Sequence, residues 1–134
     1  MGKEPIIIVG GEPNSVFLEI FFKSLKTNTY KSPLIIIISK KLLQEQMKKL
    51  GFAFKINDID KNLKNFSKLN NSKINLINVN YKFKNCFEKI TSKSNKYIDE
   101  TFKTALNFIK LNNLSKFING PVSNSFIDFR FNLE

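Results

Sequence analysis

Apolar residues in this chain alternate between short unbroken runs and longer segments with helical spacing. Ile6 to Val9 is a run of β-branched residues, the pattern of a strand covered on both faces. The segment Ser15 to Lys26 predicts a first helix, with Asn14 or Ser15 as its N-cap. Within it Val16, Phe17, Leu18, Ile20, Phe21, Phe22 and Leu25 leave a polar stripe of only Glu19, Lys23 and Lys26. Such a helix is expected to be buried nearly all round, between a sheet and a further layer or a partner subunit. Leu34 to Ser39 predicts a second strand, and Lys40 to Leu50 a second helix stopped by Gly51. Phe52 to Ile56 predicts a third strand. Asn57 to Ser72 reads as a polar loop with a short helix around Leu63 to Leu69, and Ile74 to Val79 as another strand. Residues 80–95 carry no clear period. Ile98, Phe102, Ala105 and Ile109 then mark one face of a helix from Asn95 to Leu111, and Phe117 with Ile118 a very short last strand.

Strands alternating with helices predict a three-layer α/β/α fold with a mostly parallel sheet. The 134 residues show no internal repeat and no linker, so they are expected to form a single α/β region over 1–134. The longest apolar run, Leu34 to Ile38, is far short of the roughly 20 residues that a bilayer span needs. The opening residues lack the apolar core of a signal peptide, and Cys86 is the only cysteine. The expected location is the cytoplasm.

A formal net charge of +11 raises the question of nucleic-acid binding. Among 22 basic residues only Arg130 is an arginine, the residue that planar, bidentate contacts to phosphates and guanines favour. The lysines are scattered among asparagines, isoleucines and phenylalanines, a bias that AT-rich codons produce. A solvated lysine-rich surface accounts for the charge better than a nucleic-acid interface does.

Candidate chemistry falls at two strand-end turns, Gly10 to Ser15 and Asn119 to Ser123. Ligands of open α/β sheets bind beyond the carboxyl ends of the strands. The first turn also opens a helix, whose free amides favour an anion. It is neither a GxGxxG fingerprint nor a Walker loop, because positions 12–15 contain no further glycine and no Gly-Lys-Ser/Thr follows. A plain structural role also fits, with Gly11 and Pro13 making a sharp turn and Glu12 facing the helix dipole.

Val9 to Glu19, VGGEPNSVFLE, resembles the N-terminal signature of the 4-hydroxythreonine-4-phosphate dehydrogenase family of vitamin B6 biosynthesis. That family reads Thr-x-Gly-Asp/Glu-Pro-Ala-Gly-Ile-Gly-Pro-Glu, and Gly11, Glu12, Pro13 and Glu19 match in register. Asn119-Gly120-Pro121-Val122-Ser123-Asn124 is similar to the family's Thr-Ala/Gly-Pro-Ile/Val-x-Lys, and Ser94 to Leu111 resembles the helix before it. Ser15 and Phe17 replace family glycines, Leu18 a proline, Asn119 a threonine and Asn124 a lysine.

The resemblance implies the N-terminal portion of an isopropylmalate/isocitrate dehydrogenase-like fold, incomplete at its C-terminus. It also implies an oxidoreductase of pyridoxal phosphate biosynthesis that oxidises and decarboxylates a small phosphorylated amino-acid substrate. NAD and a divalent metal held by histidines are the family's cofactors, and its members are homodimers. This chain has no histidine. Alone, it is expected to bind neither cofactor with full affinity, to hold no catalytic residue or metal site, and to be inactive. Gly11, Glu12, Pro13, Asn119, Gly120 and Pro121 are then the expected walls of a cleft. A homo-oligomer or a missing C-terminal half is the expected partner, with no role for a membrane. The alternatives are a stand-alone α/β module holding a phosphorylated or nucleotide ligand at the two turns, and a basic nucleic-acid-binding domain.

Overall fold

In a computed structural model that describes residues 4–88 and 92–122, five strands form one sheet in the order β3-β4-β2-β1-β5. The strands are β1 (Ile6–Val9), β2 (Leu34–Ile38), β3 (Ile56–Asp58), β4 (Ile74–Asn78) and β5 (Phe117–Asn119). All four pairings are parallel. The helices are α1 (Phe17–Thr27), α2 (Lys40–Leu50) and α3 (Ser92–Asn112). Every residue of β2 is buried, because this central strand is covered on both faces.

The strand order places the helices. From β1 to β2 to β3 the chain moves in one direction across the sheet, and from β4 to β5 it moves back. Right-handed parallel crossovers therefore put α1 and α2 on one face and α3 on the other. The contacts agree: α1 packs on α2. Phe102 of α3 lies edge-on to Phe117 at 6.2 Å, while the next residue, Ile118, lines a hollow with Phe17 and Phe21 of α1. The result is the three-layer α/β/α arrangement.

Local chemistry moved several boundaries. α1 starts at Phe17 and not at Ser15, since residues 12–15 are spent on a turn closed by the Ser15 N–H donating to the Glu12 carbonyl at 3.2 Å. Val16 takes the N-cap position without a side-chain bond, although the Ser15 hydroxyl accepts from the Phe17 N–H at 3.3 Å. The helix is not enclosed all round: Leu18, Phe21 and Phe22 are buried, but Val16 and Ile20 are 67% and 59% exposed. Ser39 ends β2 by capping α2, its hydroxyl accepting the Leu42 N–H at 3.1 Å. Gly51, at φ +79°, ends α2 as expected.

β3 begins only at Ile56, because Phe52 and Phe54 instead stack on each other and pack against Phe22 of α1. No helix forms at 63–69. Asp60, Asn65 and Asn70 each accept the N–H two residues on, at 2.7, 2.9 and 2.9 Å, and such bonds compete with a helix. β4 stops at Asn78, and α3 extends three residues further toward its N-terminus than the spacing of apolar residues predicts. Among the described residues no helix is long and apolar enough to cross a membrane.

Candidate functional site

β1 and β5 are neighbours, with Val9 opposite Asn119, so their exit turns leave the sheet side by side. The turns are bonded to each other. The Gly120 N–H donates to the Val9 carbonyl at 2.7 Å, and the Glu12 N–H donates to the Pro121 carbonyl at 2.8 Å. All six residues expected to wall the cleft are thus brought together. Ser123 and Asn124, also part of the second turn, lie outside the described residues.

The approach is close enough to need glycine on both sides. A Cβ at Gly120 would stand 2.4 Å from the Gly10 carbonyl oxygen. A Cβ at Gly11 would stand 2.5 Å from the Pro121 carbonyl oxygen, and Gly11 has φ +74°, a conformation side chains disfavour. Glu12 is 6% exposed and Pro13 is buried, whereas Asn119 and Pro121 are exposed. The Asn119 amide donates to the Gly120 carbonyl at 3.2 Å. The first turn therefore forms an inner layer and the second an outer one.

Three residues not singled out from the sequence hold this layout. Gln46, 1% exposed, donates from Nε2 to the Pro13 carbonyl at 2.6 Å and to the Cys86 carbonyl at 2.7 Å. It joins the first turn to the segment after β4. A signal was available: Gln46 lies on the apolar stripe of α2, beside Leu42, Leu43 and Met47, where a polar side chain needs buried partners. Tyr97 of α3 accepts the Ser39 N–H at its hydroxyl, 2.8 Å away, and stacks on Tyr81 at 4.5 Å. Tyr81 in turn stacks on Phe83 at 5.7 Å. Residues 80–95 showed no period because Tyr81, Phe83 and Cys86 are fixed by these individual contacts.

Burial pushes the Tyr81 hydroxyl up to about 12, helped by the negative charges of Glu88 and Glu12. Burial also raises the Tyr97 hydroxyl above its ordinary value. The Cys86 thiol is raised, again chiefly by burial, which argues against a thiolate nucleophile. Among the described residues no three His, Cys, Asp or Glu side chains converge to hold a metal ion. With no histidine in the chain, this donor set does not fit the metal that the family resemblance implies. The first turn likewise offers no dinucleotide fingerprint.

No protein-family model matches the chain, and no curated protein matches it in sequence. Solved structures do match in fold. The 4-hydroxythreonine-4-phosphate dehydrogenase of Burkholderia phymatum superposes with a TM-score of 0.76 at 18% identity, over 92% of this chain and 38% of its own. The enzyme of that name from Klebsiella pneumoniae gives 0.77 at 12% identity, over 98% and 40%. The chain spans about two-fifths of the length of either. Its fold is therefore that of a part of the 4-hydroxythreonine-4-phosphate dehydrogenase structures, the family that its two turns resemble.

Proposed function

We propose that this chain is the N-terminal part of an NAD- and metal-dependent 4-hydroxythreonine-4-phosphate dehydrogenase, and that it supplies one wall of the active-site cleft. The observation that carries this reading is the bonded pair of turns. Gly11, Glu12 and Pro13 match the first family motif, Gly120 and Pro121 match the second, and Glu12 and Pro121 share a 2.8 Å hydrogen bond. Their place at the carboxyl ends of adjacent parallel strands is where an α/β sheet receives a ligand. The metal ligands and the rest of the substrate pocket would come from a stretch of polypeptide downstream of Glu134 or from a second chain.

Two results test this. Translation of the DNA downstream of the Glu134 codon, in all three frames, should give a Gly-His-Thr-like segment followed by spaced histidines. Unrelated sequence there would instead favour a stand-alone α/β module. The purified 134-residue chain, mixed with substrate, NAD and Mg²⁺ or Zn²⁺, is expected to form no NADH; clear metal-dependent turnover would refute the missing-half account.

The open side of α1 supports a covering layer. Ile20, with Ile6, Ile8 and Ile118 of the sheet, lines a mainly apolar hollow of about 310 Å³. Apolar surface of this kind drives association. The isolated chain is therefore expected to self-associate in sedimentation velocity, and Ile20→Lys with Ile118→Lys to shift it toward monomer. Both residues are more than half exposed or at that limit, so the fold should tolerate the change. A parent chain that is monomeric and melts cooperatively would contradict the prediction.

A further inference from the structure

A second cleft, separate from the paired turns, lies where the sheet topology reverses. β2 and β4 are adjacent, with Ile38 opposite Asn78. The chain leaves β2 for α2 on one face and leaves β4 for α3 on the other. Loops that diverge in this way open a crevice at the strand ends, the place where open α/β sheets bind ligands. A cleft of about 570 Å³ is found there, lined from the β2 side by Lys40 and Lys41 and from the β4 side by Asn78, Lys82 and Phe83.

The charge of this cleft is one-sided. Three lysines line it and no carboxylate does. Lys40 is engaged by Asp58 at 2.8 Å, but Lys41 and Lys82 make no ion pair among the described residues. Lys41 is held against the wall, its ammonium 5.8 Å from the centre of the Phe83 ring.

Helix stability does not explain the arrangement. Lys40 and Lys41 occupy the first turn of α2, where the helix dipole disfavours cations, and that turn holds no acidic residue. The helix amides are not the attraction either. The Ser39, Lys40 and Leu42 N–H groups already donate to the Tyr97 hydroxyl, Asn78 Oδ1 and the Ser39 hydroxyl, at 2.8, 2.8 and 3.1 Å. A local rule broken without a structural return is characteristic of a functional site. The hollow beside Lys68 and Lys73 lacks this setting, because it adjoins the start of β4, at the opposite end of the sheet.

We propose that the crevice between the carboxyl ends of β2 and β4 binds a small phosphate-bearing molecule, with Lys41 from the start of α2 and Lys82 from the segment after β4 both contacting its phosphate. Lys40 stays with Asp58, and Asn78, which holds the Lys40 amide, fixes the floor. This site shares no residue with the paired turns and does not depend on the dehydrogenase reading.

The test is a titration of the ¹⁵N-labelled 134-residue chain with inorganic phosphate at low salt, followed by amide shifts, with sodium chloride at matched ionic strength as the control. Saturable shifts confined to Ser39–Gln44 and Asn78–Phe83 are expected, with saturation by about 50 mM phosphate, as suits a site of weak, millimolar strength. Lys41→Gln with Lys82→Gln should weaken binding about tenfold, whereas Lys110→Gln on α3 should leave it unchanged. Both cleft lysines are exposed, so the spectrum outside the cleft should be preserved. Asn80→Asp, which puts a carboxylate into the cleft by an independent exposed change, should weaken binding as well. Shifts that do not saturate, shifts spread over lysines of every face, or equal affinity in the cleft variants would each overturn the proposal. Failure here would leave the downstream-sequence test of the enzyme reading untouched.

Discussion

Gly120→Ala and Gly11→Ala should each lower the unfolding free energy by about 3 kcal/mol, while Gly51→Ala should lower it by only about 1 kcal/mol. The difference lies in what the added methyl meets. At Gly120 it would stand 2.4 Å from the Gly10 carbonyl oxygen and 2.7 Å from the Gly10 carbonyl carbon. Those are backbone atoms, pinned by the bonds from Gly120 to Val9 and from Glu12 to Pro121, so they cannot turn aside as a side chain would. At Gly11 a contact of 2.5 Å to the Pro121 oxygen adds to a left-handed φ of +74°, which by itself costs an alanine roughly 1–2 kcal/mol. Gly51 has almost the same φ, +79°, but nothing within 4 Å of the added atom, so it isolates the conformational part. Urea unfolding of the three variants measures this directly. Equal losses at all three would mean that the turns are not in close contact. A loss of about 3 kcal/mol is a large share of the roughly 5–15 kcal/mol that holds a small domain together.

The same contact shows which features could be read in the sequence. Strands of unbroken Ile and Val, a helix ended by Gly51 and the amphipathic face of α3 are local patterns, and each yields its element within a few residues. The two glycine-proline turns were visible as turns, and the family resemblance paired them. Their hydrogen bonding to each other depends on β5 crossing back to lie beside β1, which no local pattern encodes. The exposed side of α1 departs from its apolar pattern for a related reason. Periodicity shows that Val16 and Ile20 are apolar, but whether a layer lies over them depends on residues elsewhere. The short helix expected at 63–69 failed because Asn65 and Asn70 turn their side chains onto the backbone, a competition that the apolar spacing of Leu63, Phe66 and Leu69 conceals. The lysine cleft was hidden by composition. In a chain with lysine in nearly every segment, Lys41 and Lys82 stand out only once β2 and β4 are seen to be neighbours.

Gln46→Met should cost about 3 kcal/mol although it nearly preserves volume and adds apolar surface in a buried position. An amide nitrogen carries two hydrogens, and both are used here, one for the Pro13 carbonyl and one for the Cys86 carbonyl. Methionine would leave two acceptors in the interior without a donor, each costing roughly 1–3 kcal/mol, and the gain from a better-matched core would offset only part of that. Gln46→Glu sharpens the test because its effect depends on pH. An ionised carboxylate facing two carbonyl oxygens cannot donate, so its folded-state pKa is raised above the ordinary glutamate value of about 4.3. The protonated acid can still bond one carbonyl. This variant should therefore come closest to the parent below about pH 4 and lose stability as pH rises through the raised value. Hydrogen exchange at residues 12–15 and 85–88 should accelerate in both variants, because Gln46 is the link between those two segments. A Gln46→Met chain within about 0.5 kcal/mol of the parent, with unchanged exchange in the turn, would show that the Gly11-Glu12-Pro13 turn is held by its contact with Pro121 and Gly120 alone.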